Sequence, residues 1–203
     1  MPRQSNQPSA HTSTQKRKKL SRPSKADIAA AYGQTMPDII APNLSVLFCG
    51  INPSLYSIAI GHHFGHPGNR FWKAIHKAGF TPRLYDPSED ASLIDLGYGI
   101  TNMAPRATAR ADELSKAEIK EGRELLAGKI QTYQPKCLAF LGITAYRIAF
   151  AQPKAKIGPQ PDWQGTSVWA LPNPSGLNAH YQVDDLAEVY QWVLSEDLPQ
   201  LSS

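Results

Sequence analysis

From Ser45 onward the chain alternates short apolar runs with longer segments whose apolar residues recur every three or four positions. Ser45–Gly50 is an apolar run closed by glycine, the pattern of a strand buried on both faces. Tyr98–Met103, Lys136–Leu141 and Ser167–Leu171 have the same character and predict three further strands. Between them lie helical patterns. Arg70–Ala78 puts Phe71, Trp72 and Ile75 on one face and meets Gly79 as a stop signal. Ser115-Lys116-Ala117-Glu118 is a capping box opening a helix whose Ile119, Leu126 and Ile130 share a face. Thr144–Phe150 predicts a short helix. The last helix starts near Val183, with Leu186, Val189, Tyr190 and Val193 at helical spacing. Strand and helix alternate four times, which predicts βαβ crossovers, a parallel sheet and helices on both faces. No internal repeat is present.

The N-terminal part differs. Residues 1–25 are poor in large apolar side chains and rich in Ser, Gln, Pro and Lys, so a disordered tail is expected there. Residues 26–44 read as a transition with a short helix near Asp27–Tyr32, and residues 26–203 as a single domain. The full 203 residues suffice for one ordinary core. Net charge is +4, but seven of the 21 Lys and Arg lie in residues 1–25, with no acid among them. The remainder holds 14 basic against 17 acidic side chains, so the chain is a basic tail on a mildly acidic body. Two cysteines, Cys49 and Cys137, both within apolar runs, are too few for a disulfide scaffold and read as buried, reduced thiols. No apolar stretch approaches the roughly 18–20 residues of a membrane span. Residues 4–15 lack the apolar segment of a secretory signal, so an intracellular location is expected: cytoplasm or nucleoid in a bacterium, nucleus in a eukaryote.

In open α/β sheets ligands bind beyond the carboxyl ends of the strands. That rule singles out residues 50–69 and 172–181, the two segments richest in unusual chemistry. The first contains Gly50-Ile51-Asn52-Pro53 and then His66-Pro67-Gly68-Asn69-Arg70-Phe71-Trp72; the second contains Asn173-Pro174-Ser175-Gly176-Leu177. In this order and spacing, from about Ile40 to Val193, the chain resembles the mismatch-specific uracil-DNA and thymine-DNA glycosylase family.

The resemblance implies a three-layer αβα sandwich around a mainly parallel four-stranded sheet. It implies a catalytic Asn52, which would hold a water beneath the sugar C1′ while the base leaves as an anion. An amide is a poor base, so modest turnover and dependence on a good leaving group follow. Phe64 would stack on an extruded base, a contact worth roughly 1–3 kcal/mol per base. Ile51 and its neighbours would read the base edge. Ser57 would contact the base or a phosphate, or cap the turn, and Asn173 would belong to the base pocket. Leu177 would fill the hole left by the flipped base, with Gly176 permitting close approach to the duplex and Ser175 touching phosphate. Arg70 and Asn69, at a helix start, would hold phosphate; otherwise Arg70 forms a surface ion pair. Neither metal nor cofactor is expected, because His62, His63 and His66 lack a fourth ligand nearby in sequence. The expected partner is double-stranded DNA with a G·U or G·T mismatch, bound by a monomer outside any membrane.

The chain departs from the bacterial pattern at Ser54, where glycine is usual, and at Asn178 and Ala179, where Ser and Arg often follow the wedge. Ser54 would narrow the pocket or add a hydrogen bond, and the lost Arg puts strict mismatch preference in doubt. Asn102, after the second strand, is a further candidate pocket residue. No lysine stands in either motif loop, and Lys73 is on the helix face, so a Schiff-base lyase is not expected. The rival readings are a non-catalytic module that binds damaged or abasic DNA, and a hydrolase of free nucleotides.

Overall fold

The structure, a computed structural model, describes residues 22–195. The predicted tail lies outside the described residues except for its last four, and Ser24 already caps helix α1 (Lys25–Ala30) through a capping box with Asp27. The helix expected near Asp27–Tyr32 therefore begins two residues earlier, at Lys25.

Five strands form one sheet: β1 (Val46–Gly50), β2 (Tyr98–Asn102), β3 (Cys137–Leu141), β4 (Gly158–Trp163) and β5 (Thr166–Leu171), in the order β2-β1-β3-β5-β4. The four predicted strands are mutually parallel. The sheet is not four-stranded, however. β4 adds an antiparallel edge, joined to β5 by a two-residue turn in which Gln164 and Gly165 both have positive φ. Pro159 and Pro161 interrupt any apolar alternation in β4 and are tolerated because the strand lies at an edge.

β1 is buried throughout, and its alternate residues face two separate cores. Val46 and Phe48 pack with Phe71, Trp72 and Ile75 of α3 (Phe71–Lys77) and with Leu186 and Tyr190 of α6 (Val183–Gln191). Leu47 and Cys49 pack with Ile119, Leu126 and Ile130 of α4 (Lys116–Tyr133) and with Tyr146 of α5 (Ile143–Ala149). The result is the αβα sandwich. Both cysteines are free and buried, and burial pushes the Cys137 thiol up to about 12, so neither is a ready thiolate. Among the described residues no helix is long and apolar enough to cross a membrane.

One further helix lies where composition suggests only loop. α2 (Leu55–Ile60) begins directly after the Asn52-Pro53 turn, with Ser54 as its N-cap: the Ser54 hydroxyl accepts the Ser57 N–H. The residue that departs from the bacterial pattern thus starts a helix.

Candidate active site at the carboxyl edge of the sheet

A cavity of about 380 Å³ opens beyond the carboxyl ends of β1, β2, β3 and β5. Ile51, Asn52, Ser57, Phe64, Asn173, Ser175 and Leu177 all line it, so the two segments read from sequence converge on one place. Asn102 lines it too, at the end of β2 and in register with Gly50. A side chain at Gly50 would put its Cβ 2.5 Å from Asn102 Oδ1, so glycine here makes room for that amide.

Asn52 is fixed by its amide hydrogens. Nδ2 donates to the Arg106 carbonyl at 3.0 Å and to Thr108 Oγ1 at 2.7 Å. Thr108 Oγ1 in turn donates to the Arg110 carbonyl at 2.7 Å, so it receives rather than competes for the Asn52 proton. Among the described residues no donor is assigned to Oδ1, which is left for a ligand. Arg106 is itself held by Glu118 at 2.5 Å, and that guanidinium, helped by bonds from Ser115, keeps the Glu118 carboxyl down at about 2. This support comes from residues 104–113, a segment missed in the sequence reading. It follows the carboxyl end of β2, so applying the strand-end rule to all four strands would have found it.

Phe64 sits in a tightly built turn. Its φ is +51°, uncommon for a side-chain-bearing residue, and its neighbours hold it there. The His63 N–H donates to buried Asp90, the His63 carbonyl accepts from Trp72 Nε1, and the Gly65 N–H donates to Ser57 Oγ. His63 Nε2 faces the Pro37 carbonyl at 2.9 Å, so that nitrogen carries the proton; burial holds this imidazole below its ordinary pKa. One face of the Phe64 ring stacks on Phe71, centroids 4.0 Å apart, so the residue is both core edge and cavity wall. Ser57 is 2% exposed, and its hydroxyl, bonded to Ser54 Oγ and to the Gly65 N–H, ties α2 to this turn.

The histidines divide as their neighbours dictate. His62 meets Asp90 at 3.2 Å, a carboxylate 28 residues away and invisible to local spacing. His66 Nδ1 accepts the Gly68 N–H and its ring lies edge-on to Tyr56, which orders the loop. Among the described residues no group of three or more His, Cys, Asp or Glu is placed to hold a metal.

Arg70 requires a correction. Among the described residues it pairs with no acid. Its guanidinium donates to the carbonyls of Ser175, Tyr181 and Asn178, the last at 2.8 Å, and its Nε approaches that of Pro174. At the helix start the Arg70 N–H bonds the Pro174 carbonyl and the Phe71 N–H bonds Asn69 Oδ1. Arg70 instead gathers segment 173–181 around one cation. Asn173 Oδ1 accepts the Ser175 N–H, and Asn178 Nδ2 returns to the Asn173 carbonyl, so the departure at Asn178 serves as a brace. Gly176 is needed within the molecule: a Cβ there would lie 2.6 Å from the Gly68 carbonyl. Carried on this braced turn, Leu177 is 82% exposed and does not pack on α6.

The comparisons with known proteins agree with this geometry. The profile described as the uracil DNA glycosylase superfamily matches residues 37–194. The chain is also similar to the solution NMR structure of a Methanosarcina acetivorans protein proposed to be a uracil DNA glycosylase. The identity is 19% and the TM-score 0.52, with 80% of this chain and 99% of that chain covered, a likeness of fold. With the match spanning most of the described domain and both motif segments meeting in one cavity, the chain belongs to the uracil DNA glycosylase superfamily.

Proposed function

We propose that this chain is a monofunctional DNA glycosylase that removes uracil, and more slowly thymine or damaged pyrimidines, from G-containing mismatches in duplex DNA. The observation that carries the reading is the Asn52 amide, whose two N–H groups are bonded away while its oxygen remains at the floor of an aromatic-walled cavity. In this mechanism Oδ1 accepts a hydrogen bond from water. The water oxygen attacks C1′, the C1′–N1 bond breaks, and its electron pair leaves on the base. The attacking water loses its proton to solvent, and the product is an abasic site.

The target nucleotide must leave the helix to reach this floor, at a cost of a few kcal/mol that is least at a mismatch. Exposed Leu177 on its braced turn supports a wedge that occupies the vacated space. Stacking on Phe64 supports the extruded state. Among the described residues no lysine lines the cavity, which favours hydrolysis over a Schiff-base lyase.

The test is a duplex with one G·U pair, incubated with the protein and then treated with alkali to break abasic strands. Strand breakage at the uracil is expected. Binding without breakage would reject the enzyme reading in favour of a non-catalytic module. Activity confined to free deoxyuridine monophosphate would reject DNA as the substrate.

A further inference from the structure

We infer that Arg110 is the cation that grips the DNA backbone at the mouth of the site, and that Asp112 occupies it until DNA arrives. The inference rests on the glycosylase reading above, because it takes the ligand to be a polyanion.

A phosphodiester entering this cavity meets an acidic body, for the net charge beyond residue 25 is negative. The guanidinium of Arg70 is already bonded to loop carbonyls. Among the described residues that line the cavity, Arg110 is the one Lys or Arg. Its side chain is 69% exposed and forks onto the Asp112 carboxylate at 2.6 and 3.1 Å; Asp112 is 64% exposed. An ion pair this exposed contributes little, so a phosphate can replace it, and the planar fork that fits a carboxylate also fits a phosphate.

The backbone of Arg110 makes this grip informative about register. Its carbonyl ends the chain of bonds that begins at Asn52 Nδ2 and passes through Thr108 Oγ1. Its N–H is bonded to Glu113. The guanidinium is therefore carried on a backbone fixed to the reacting amide. A phosphate held by Arg110 is held at a set distance from Asn52, on the side of the cavity formed by residues 108–112.

The experiment measures binding of the full chain to a duplex carrying one cleavage-resistant 2′-fluorodeoxyuridine opposite guanine, across a salt series. Arg110→Gln is expected to weaken binding and to reduce the salt slope by about 1, the value for one phosphate contact. Asp112→Asn is expected to strengthen binding by up to about fivefold, the fold-change of releasing an exposed pair. In the Arg110→Gln background the Asp112→Asn gain should disappear. Arg110→Lys should keep the slope but lose part of the affinity, since a point charge replaces the fork. An unchanged slope in Arg110→Gln overturns the inference, as does an Asp112→Asn gain that persists in the Arg110→Gln background. Wild type that binds no DNA would overturn the glycosylase reading and this inference together, whereas binding with an unchanged slope overturns this inference alone.

Discussion

The two segments that meet at the cavity are held in opposite ways. Residues 50–66 are fixed from within: Asn52 is bonded on both amide hydrogens, Ser57 and His63 are buried, and Phe64 is pinned at positive φ between core and cavity. Residues 173–181 are gathered by the Arg70 guanidinium and braced by their own Asn173 and Asn178 side chains, and they present Leu177 to solvent. The first arrangement suits groups that must not move during bond cleavage. The second suits a tip that must enter another molecule while its base stays in shape. Under the proposed function, chemistry and mechanics fall to different loops, and substitutions should separate them.

The largest separation comes from Asn52→Ala. Single-turnover excision should fall by about 10²–10³, the range for loss of one preorganised polar group at the reacting atoms, while duplex affinity and thermal midpoint stay near wild type. Full activity in this variant would remove the floor from the chemistry. Next in size is Arg70→Met, which leaves several carbonyls without their donor. Urea unfolding should show a loss of at least the ~1.5–3 kcal/mol of one charged hydrogen bond. Amide exchange should rise across 173–178 and not across 61–66. Arg70→Lys should recover only part of this, since one ammonium cannot span those carbonyls.

A smaller effect is expected from Thr108→Val, which strips Asn52 of one bond worth ~0.5–1.5 kcal/mol. Excision should slow by up to about tenfold with KM unchanged, and Thr108→Ser should restore it. Equal recovery by Val and Ser would show that the hydroxyl does not orient the amide. The smallest effect concerns pH. Burial lowers the proton affinity of His63 in the folded state, so the unfolded chain binds the proton first. The contribution from this site is complete above about 6.5, the ordinary imidazole value, and declines as pH falls from there. The thermal midpoint should drop between pH 6.5 and 5, and His63→Gln should flatten that slope.

Much of this was legible in the sequence because the signals were local. A run such as Val46–Cys49 or the box at Ser115 carries its own explanation, and the four parallel strands and five of the six α-helices among the described residues followed. β4 was not legible, because its prolines erase the alternation that marks a strand and only its pairing with β5 defines it. α2 was hidden by the Gly, Pro and His around it. At the site, Asn52, Phe64 and Leu177 announced themselves through motif and context. Arg70 was misread because an arginine at a helix start looks alike whether it faces phosphate or carbonyls 104 to 111 residues away. Thr108 and Asp90 reach the site residues Asn52 and His63 across long stretches of sequence.

The division of labour is tested most directly by Leu177→Ala at saturating enzyme, comparing single-turnover excision from G·U and A·U duplexes. The wedge offsets the cost of opening the pair, and that cost is larger for the matched pair. The variant should therefore lose more on A·U than on G·U, while Asn52→Ala loses equally on both. An equal loss on the two duplexes for Leu177→Ala, or none on either, would contradict the assignment of base extrusion to one loop and bond cleavage to the other.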